Sequence, residues 1–340
     1  MISLRQFAKI AGVSPATVSR IFSGNNNVAP ETSTRIAALA QACNFRPSVV
    51  RAASRNGNTR SIGVVMSSFN VSYFADIFRG IQAELFEEKY LPIAVDSAIS
   101  NELVAINRLV DHKVDGLILG LLEEKLKPAS FKSMLQLNLP LVIIETNTAG
   151  LYADVVDNDD VNGGRMAAEH LIELGHTRIG FCSYGEGLHC TCVPRFQGFR
   201  EALARHNLTY NDKYTATLPF QGDDCLKRFK EDLIKILSQP DAPTAYFATT
   251  DLNALQVYEA AAELNIRIPQ QLSVIGFADL NFAPYITPPL TTIRQNGFAI
   301  GQNAAKLILK RLNGDGTPPT RIVVPTELVI RKSTGRPAGA

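Results

Sequence analysis

LRQFAKIAGVSPATVSRIF, residues 4–22, decides how the rest of the chain is read. Leu4, Phe7, Ala8 and Ala11 recur at i, i+3, i+4 and i+7, and beyond Gly12 a second apolar set, Val18, Ile21 and Phe22, repeats the helical period. The spacing predicts two short amphipathic helices joined by a tight turn. Ser14 stands where a side-chain oxygen can cap the free N–H groups of the second helix, and Pro15 takes its first position, where a missing N–H costs nothing. The outward residues Pro15, Ala16, Thr17, Ser19 and Arg20 are small, hydroxylated or basic, so this helix can enter a DNA groove that would repel long acidic side chains. An ordinary surface hairpin has the same local pattern, and the charge distribution separates the two readings.

The chain has 340 residues, 46% of them hydrophobic, with near-zero mean hydropathy and a net charge of +2. That is enough apolar material for a large core and more chain than one domain usually needs. Residues 1–60 hold eight basic side chains against Glu31 alone, a net +7, and the remainder is −5. A basic head on a mildly acidic body predicts a polyanionic partner for the head only. No apolar run approaches the roughly 18–20 residues of a membrane span, and the N-terminus lacks the apolar stretch of a secretory signal. A cytoplasmic location follows as an expectation. Five cysteines at irregular spacing fit reduced thiols rather than a disulfide framework.

A third helix is indicated over 30–43, where Ile36, Leu39, Ala40 and Cys43 share a face and Ala29 is a poor cap. Residues 48–60 are polar and rich in arginine, and they read as a linker able to order on a polyanion. From Ser61 short continuous apolar runs alternate with helical stretches: 62–66, 93–95, 117–119, 141–144 and 155–156, and then 179–182, 245–248 and 273–277. Strands buried on both faces and alternating with helices imply parallel sheets. The expected architecture is α/β: a three-helix head at 1–47, a hinge at 48–60, and a body at 61–340 made of two α/β subdomains. Their cleft should open at the carboxyl ends of the strands.

Enzyme signatures are missing. The loop after Met66, SSFNVS, has no glycine for a dinucleotide or P-loop site, and no Gly-x-Ser-x-Gly elbow occurs. His189-Cys190-Thr191-Cys192 lacks a second cysteine pair at finger spacing, so oxidation-sensitive thiols are a better reading there than a metal, and no cofactor is expected. Tyr73 and Phe74, placed where the cleft opens, can stack on a ring. Arg195 and Asp251 begin helices at cleft-loop positions and suit a polar, ring-shaped ligand, the arginine as a donating fork and the aspartate as an acceptor for hydroxyls.

The chain resembles the lactose repressor and galactose repressor family of bacterial transcription regulators over essentially its whole length. The likeness is carried by AGVSPATVSRIFSG at 11–24, FRPS at 45–48, TRSIGVV at 59–65, HLIELGHTRIGF at 170–181 and SVIGFADLNFAPYITPPLTTIRQ at 273–295. It implies that Ala16 and Arg20 read bases, that Ser14, Thr17 and Ser19 meet phosphates, and that 48–56, with Ser48, Arg51, Ser54 and Arg55, is a hinge helix ordered on DNA. Ser54 stands where the family usually wedges a leucine into the minor groove, which implies less kinking of the DNA. The body implied is similar to periplasmic sugar-binding proteins, with Tyr73, Phe74, His189, Thr191, Arg195, Phe220 and Asp251 at effector-contacting positions. A repressor acting as a homodimer on double-stranded operator DNA, controlled by a small molecule, is the function implied. A sugar is the first expectation for that molecule and a purine-like ring the second. The rivals are a solute-binding protein, opposed by the basic head and missing signal, and an enzyme on the same scaffold, opposed by the missing motifs.

Overall fold

The computed structural model describes residues 3–22, 28–43, 45, 59–97, 102–120, 139–145, 152–184, 192–218 and 224–338. The chain begins with three helices, α1 (Leu4–Ala11), α2 (Pro15–Phe22) and α3 (Pro30–Ala42). Ser3 and Gln6 form a reciprocal capping box, and Gly12 ends α1 in the left-handed region at φ 67°. The Thr17 amide then donates to Ser14 Oγ at 3.0 Å and starts α2. Ala29 offers α3 no side-chain cap, and Pro30 opens that helix. The three apolar faces meet in a small core of Phe7, Ala8, Ala11, Val18, Ile36, Ala40 and Phe45, in which Phe7 stacks on Phe45 with centroids 4.0 Å apart. Leu4 and Ile21 pack at its margin.

Beyond Thr59 the described residues build two six-stranded sheets. In the first, β1 (Ser61–Met66), β2 (Leu91–Asp96), β3 (Gly116–Gly120), β4 (Leu141–Ile144) and β5 (Asp154–Asn158) join β11 (Arg321–Val324) in the order β11-β5-β4-β3-β1-β2, parallel throughout. The helices α4 (Ser72–Glu87) and α5 (Glu102–Asp111) belong to this half. In the second, β6 (Ile179–Tyr184), β7 (Thr215–Leu218), β8 (Ala245–Ala248), β9 (Ser273–Ala278), β10 (Thr291–Arg294) and β12 (Glu327–Val329) follow the order β12-β10-β9-β8-β6-β7, and only β12 is antiparallel to its neighbour. Helices α6 (Asp160–Glu173), α7 (Cys192–Arg205), α8 (Cys225–Leu237) and α9 (Asp251–Glu263) flank it. The last helix, α10 (Gly297–Leu312), follows β10 but packs against α4 and the first sheet.

Strands covered on both faces lose the polar alternation of a half-exposed sheet, which is why β1, β3 and β8 are buried at every position. Each sheet separates two apolar layers. One layer of the second sheet is aromatic, with Phe181, Phe199, Phe247 and Phe277 buried together. A fully buried side chain of this size contributes about 1.5–3 kcal/mol. Among the described residues the chain passes between the halves three times, from β5 to α6, from β10 to α10 and from β11 to β12. Two of these crossings are tied together: the Asp159 amide donates to the Val324 carbonyl at 2.9 Å, and Thr326 Oγ1 to the Asp159 carbonyl at 3.2 Å.

Candidate functional site

Ser14, just before α2, is exposed, as are Ala16 and Arg20 on it; Thr17 and Ser19 are half-buried, while Val18 is wholly buried in the small core. Ser14 Oγ and Thr17 Oγ1 lie 2.8 Å apart, so one hydroxyl proton is used within the pair and the other remains to donate elsewhere. Ser48, Arg51, Ser54 and Arg55 lie outside the described residues.

The second surface is a cavity of about 510 Å³ between the two α/β halves. Its wall forms where strands end. Ser67 and Ser68 follow β1, Gly120 closes β3, Glu145 follows β4, Leu218 closes β7, Thr250 comes after β8, Ala278 closes β9 and Gln295 follows β10. Parallel topology brings these carboxyl ends together although the residues are far apart in sequence. Tyr73 and Phe74 from α4, Arg195 from α7, and Leu252, Asn253, Leu255 and Gln256 from α9 complete much of the wall.

At one side of the cavity polar side chains form a connected group. Asn158 Nδ2 donates to the Tyr73 hydroxyl at 2.7 Å, and both Asn158 and Tyr73 hydrogen-bond Glu145. Arg195, only 3% exposed, donates from Nε to Asp160 Oδ1 at 3.0 Å and from Nη1 to the Thr249 carbonyl at 2.6 Å. Its guanidinium also lies 3.8 Å from the centroid of the Phe277 ring. Burial raises the Glu145 carboxyl to about 8; repulsion from Asp160 pushes the same way, against the hydrogen bond from Tyr73 and the pull of Arg195. Burial raises Asp160 as well, even with Arg195 beside it. The Tyr73 hydroxyl is raised by burial and then by Glu145. Gln295 is 7% exposed, and its Nε2 has no hydrogen-bond partner among the described residues.

Asp251 differs from its expected role and is corrected here. It is wholly buried in the first turn of α9 and forms no part of the cavity wall. Its Oδ1 accepts from Thr292 Oγ1 and its Oδ2 from the Leu280 amide, both at 2.6 Å. The carboxylate therefore clamps α9 to β10 and to the segment after β9, leaving Thr250 and Leu252 to face the cavity. Tyr73, Phe74 and Arg195 do come together on the wall, whereas His189, Thr191 and Phe220 lie outside the described residues. Sequence reasoning missed Glu145, Asn253, Gln256 and Gln295. For Glu145 and Gln295 the available signal was a polar residue directly after an apolar run.

Among the described residues no three or more His, Cys, Asp or Glu side chains are grouped to hold a metal, and no helix is long and apolar enough to cross a membrane. Residues 3–48 match the family model described as bacterial regulatory proteins, lacI family, and residues 168–334 match a periplasmic binding protein-like domain. The HTH-type transcriptional repressor PurR of Haemophilus influenzae is 30% identical over 341 residues, spanning 98% of this chain and 98% of its own length. The solved complex of the transcriptional regulator CelR with cellobiose is 26% identical with a TM-score of 0.72, over 97% of this chain and 99% of that one. The lac repressor dimer bound to operator and the anti-inducer ONPF shares the fold, with a TM-score of 0.83 at 23% identity over 98% of this chain and 99% of that one. Because the match to a repressor runs unbroken through head and body, the chain belongs to the lacI family of bacterial regulatory proteins and is a DNA-binding transcriptional repressor, not an enzyme.

Proposed function

We propose that this repressor's hold on operator DNA is set by a planar, ring-shaped small molecule bound between its α/β halves. The observation that carries the reading is the wall of the cavity. Val71, Phe74, Leu218, Leu226, Leu252, Leu255 and Leu280 make it largely apolar among the described residues, and Asp251, the acceptor expected for sugar hydroxyls, faces elsewhere. A sugar carries a hydroxyl on almost every carbon, and each one buried without a partner is costly. A heteroaromatic ring needs partners only around its edge and lays its faces on aliphatic and aromatic side chains. The similarity over 98% of the chain to the HTH-type transcriptional repressor PurR supports a purine-like ring as the first reading for this chain. A sugar is the second, supported by the likeness to the CelR–cellobiose complex.

In this proposal Tyr73, Phe74, His189, Thr191, Arg195 and Phe220 contact the ligand, and Asp251 braces α9 behind them. Residues 1–47 are the DNA head, 48–60 the hinge, and 61–340 the effector-binding and dimerisation body of a homodimer. Ala16 and Arg20 read bases; Ser14, Thr17, Ser19, Ser48, Arg51, Ser54 and Arg55 serve the backbone and the hinge. The ligand acts through its different affinity for two arrangements of the halves, the three crossings between them being where such a change must pass.

A thermal-shift screen of the whole chain against purine bases, nucleosides, ribose and cellobiose tests this. A ligand at a hundred times its Kd adds about 2.7 kcal/mol to the native state. The expected result is a raised midpoint with purines that disappears in Arg195→Lys, each protein compared with its own unliganded form. A response confined to sugars overturns the first reading in favour of the second.

A further inference from the structure

We propose that Glu145 selects the effector by accepting an N–H donor from the edge of its ring, and that it gives up a proton to solvent as it does so. The inference rests on the planar-ring reading above. Glu145 holds a left-handed backbone, φ 58°, which a non-glycine residue keeps only where its surroundings enforce it. Its amide donates to the Val156 carbonyl at 3.2 Å, and its half-buried side chain opens on the cavity.

The groups acting on it come from four elements. Tyr73 approaches from α4, Asp157 and Asn158 from the end of β5, Asp160 from the start of α6 and Arg195 from α7. Tyr73 and Asn158 supply two hydrogen bonds; the two aspartates repel a second negative charge. Arg195 is already bonded to Asp160 and Thr249, and Asp157 to Arg321 at 2.8 Å. Burial and these acids favour the protonated carboxyl. An ionised carboxylate has about four acceptor sites, so room remains for a donor from the ligand. When a ligand N–H takes such a site it favours the ionised form: the O–H bond of the acid breaks, the proton passes to buffer, and an N–H···O hydrogen bond replaces it. From the other half of the body, Gln295 also lines the cavity, its amide Nε2 buried and without a hydrogen-bond partner among the described residues. The Glu145 carboxylate calls for a ring edge bearing an N–H donor, as an aminopurine does.

Isothermal titration of the whole chain with adenine, in buffers of different ionisation heat at pH 6, 7 and 8, tests the inference. Nearly one proton should be released per ligand at pH 6–7 and less at pH 8, with affinity rising close to tenfold between pH 6 and 7. In Glu145→Gln the release should vanish, the affinity should no longer vary with pH, and binding at pH 8 should be at least tenfold weaker, with a melting midpoint checked to show an intact fold. Binding of adenine without proton release, or release unchanged in Glu145→Gln, overturns the inference and leaves the planar-ring reading standing. No binding of adenine, guanine or hypoxanthine overturns both.

Discussion

Hydrogen bonds to Asp160 and Thr249 and the face of Phe277 hold the guanidinium of Arg195, and the Asp160 carboxylate it satisfies is itself mostly shielded, its side chain 11% exposed. Breaking such a pair from one side leaves an uncompensated charge, which costs about 3–5 kcal/mol. Arg195→Ala should therefore lower stability by that amount in urea unfolding, and adding Asp160→Asn should recover part of the loss. A second residue-scale expectation concerns pH. Burial raises Asp251 to about 6, against the hydrogen bonds from Thr292 and Leu280. Between pH 4 and 6 the native chain keeps a proton there that the unfolded chain has released, so stability falls as pH rises through this window. Asp157 is raised to about 6 by burial and moves the same way. The stability profile of Asp251→Asn between pH 4 and 6 should be flatter than that of the native chain, on a lower overall stability, because an amide cannot accept from both Thr292 and Leu280.

At the scale of elements, the placing of Arg195 depends on how closely α6 and α7 approach. A Cβ on Gly164 would stand 2.0 Å from the Arg195 carbonyl oxygen, and one on Gly198 1.8 Å from that of Val161. The helices touch backbone to backbone, and no side chain fits between them. Gly164→Ala should lower stability by about 1–3 kcal/mol and, by pushing Arg195 out of register, weaken effector binding as well; urea unfolding and calorimetry on the same variant separate the two effects. Much of the architecture was readable because apolar runs such as IGVVM at 62–66 have only one economical setting. β10 was not, because Thr291 and Thr292 look like turn residues after Pro288-Pro289, yet both are wholly buried, with Thr292 bonded to Asp251 and the Thr291 amide to Ser333. The same limit applies to the site. Aromatics after a strand announced Tyr73 and Phe74, but a strand's end says where a residue lies and not which way it turns, so Asp251 misled and Glu145 and Gln295 went unnoticed.

Across the whole molecule, charge is divided unevenly: a net +7 over residues 1–60 and −5 over the rest. Operator binding should therefore depend steeply on salt, with log K falling by about 0.9 per phosphate contacted for each unit of log salt. For roughly 6–10 contacts that means a loss of about 10³–10⁵ between 50 and 200 mM. The proposed effector site is a cavity walled largely by apolar side chains. If it acts by changing the fraction of molecules arranged to bind DNA, the arrangement that binds still meets the same phosphates. Fluorescence anisotropy with a labelled operator, repeated across salt concentrations with and without saturating ligand, should give two parallel lines displaced along the affinity axis. A ligand that instead changes the slope would be altering the contacts themselves, which would place its action in the head and hinge and remove the cleft's two arrangements from the mechanism.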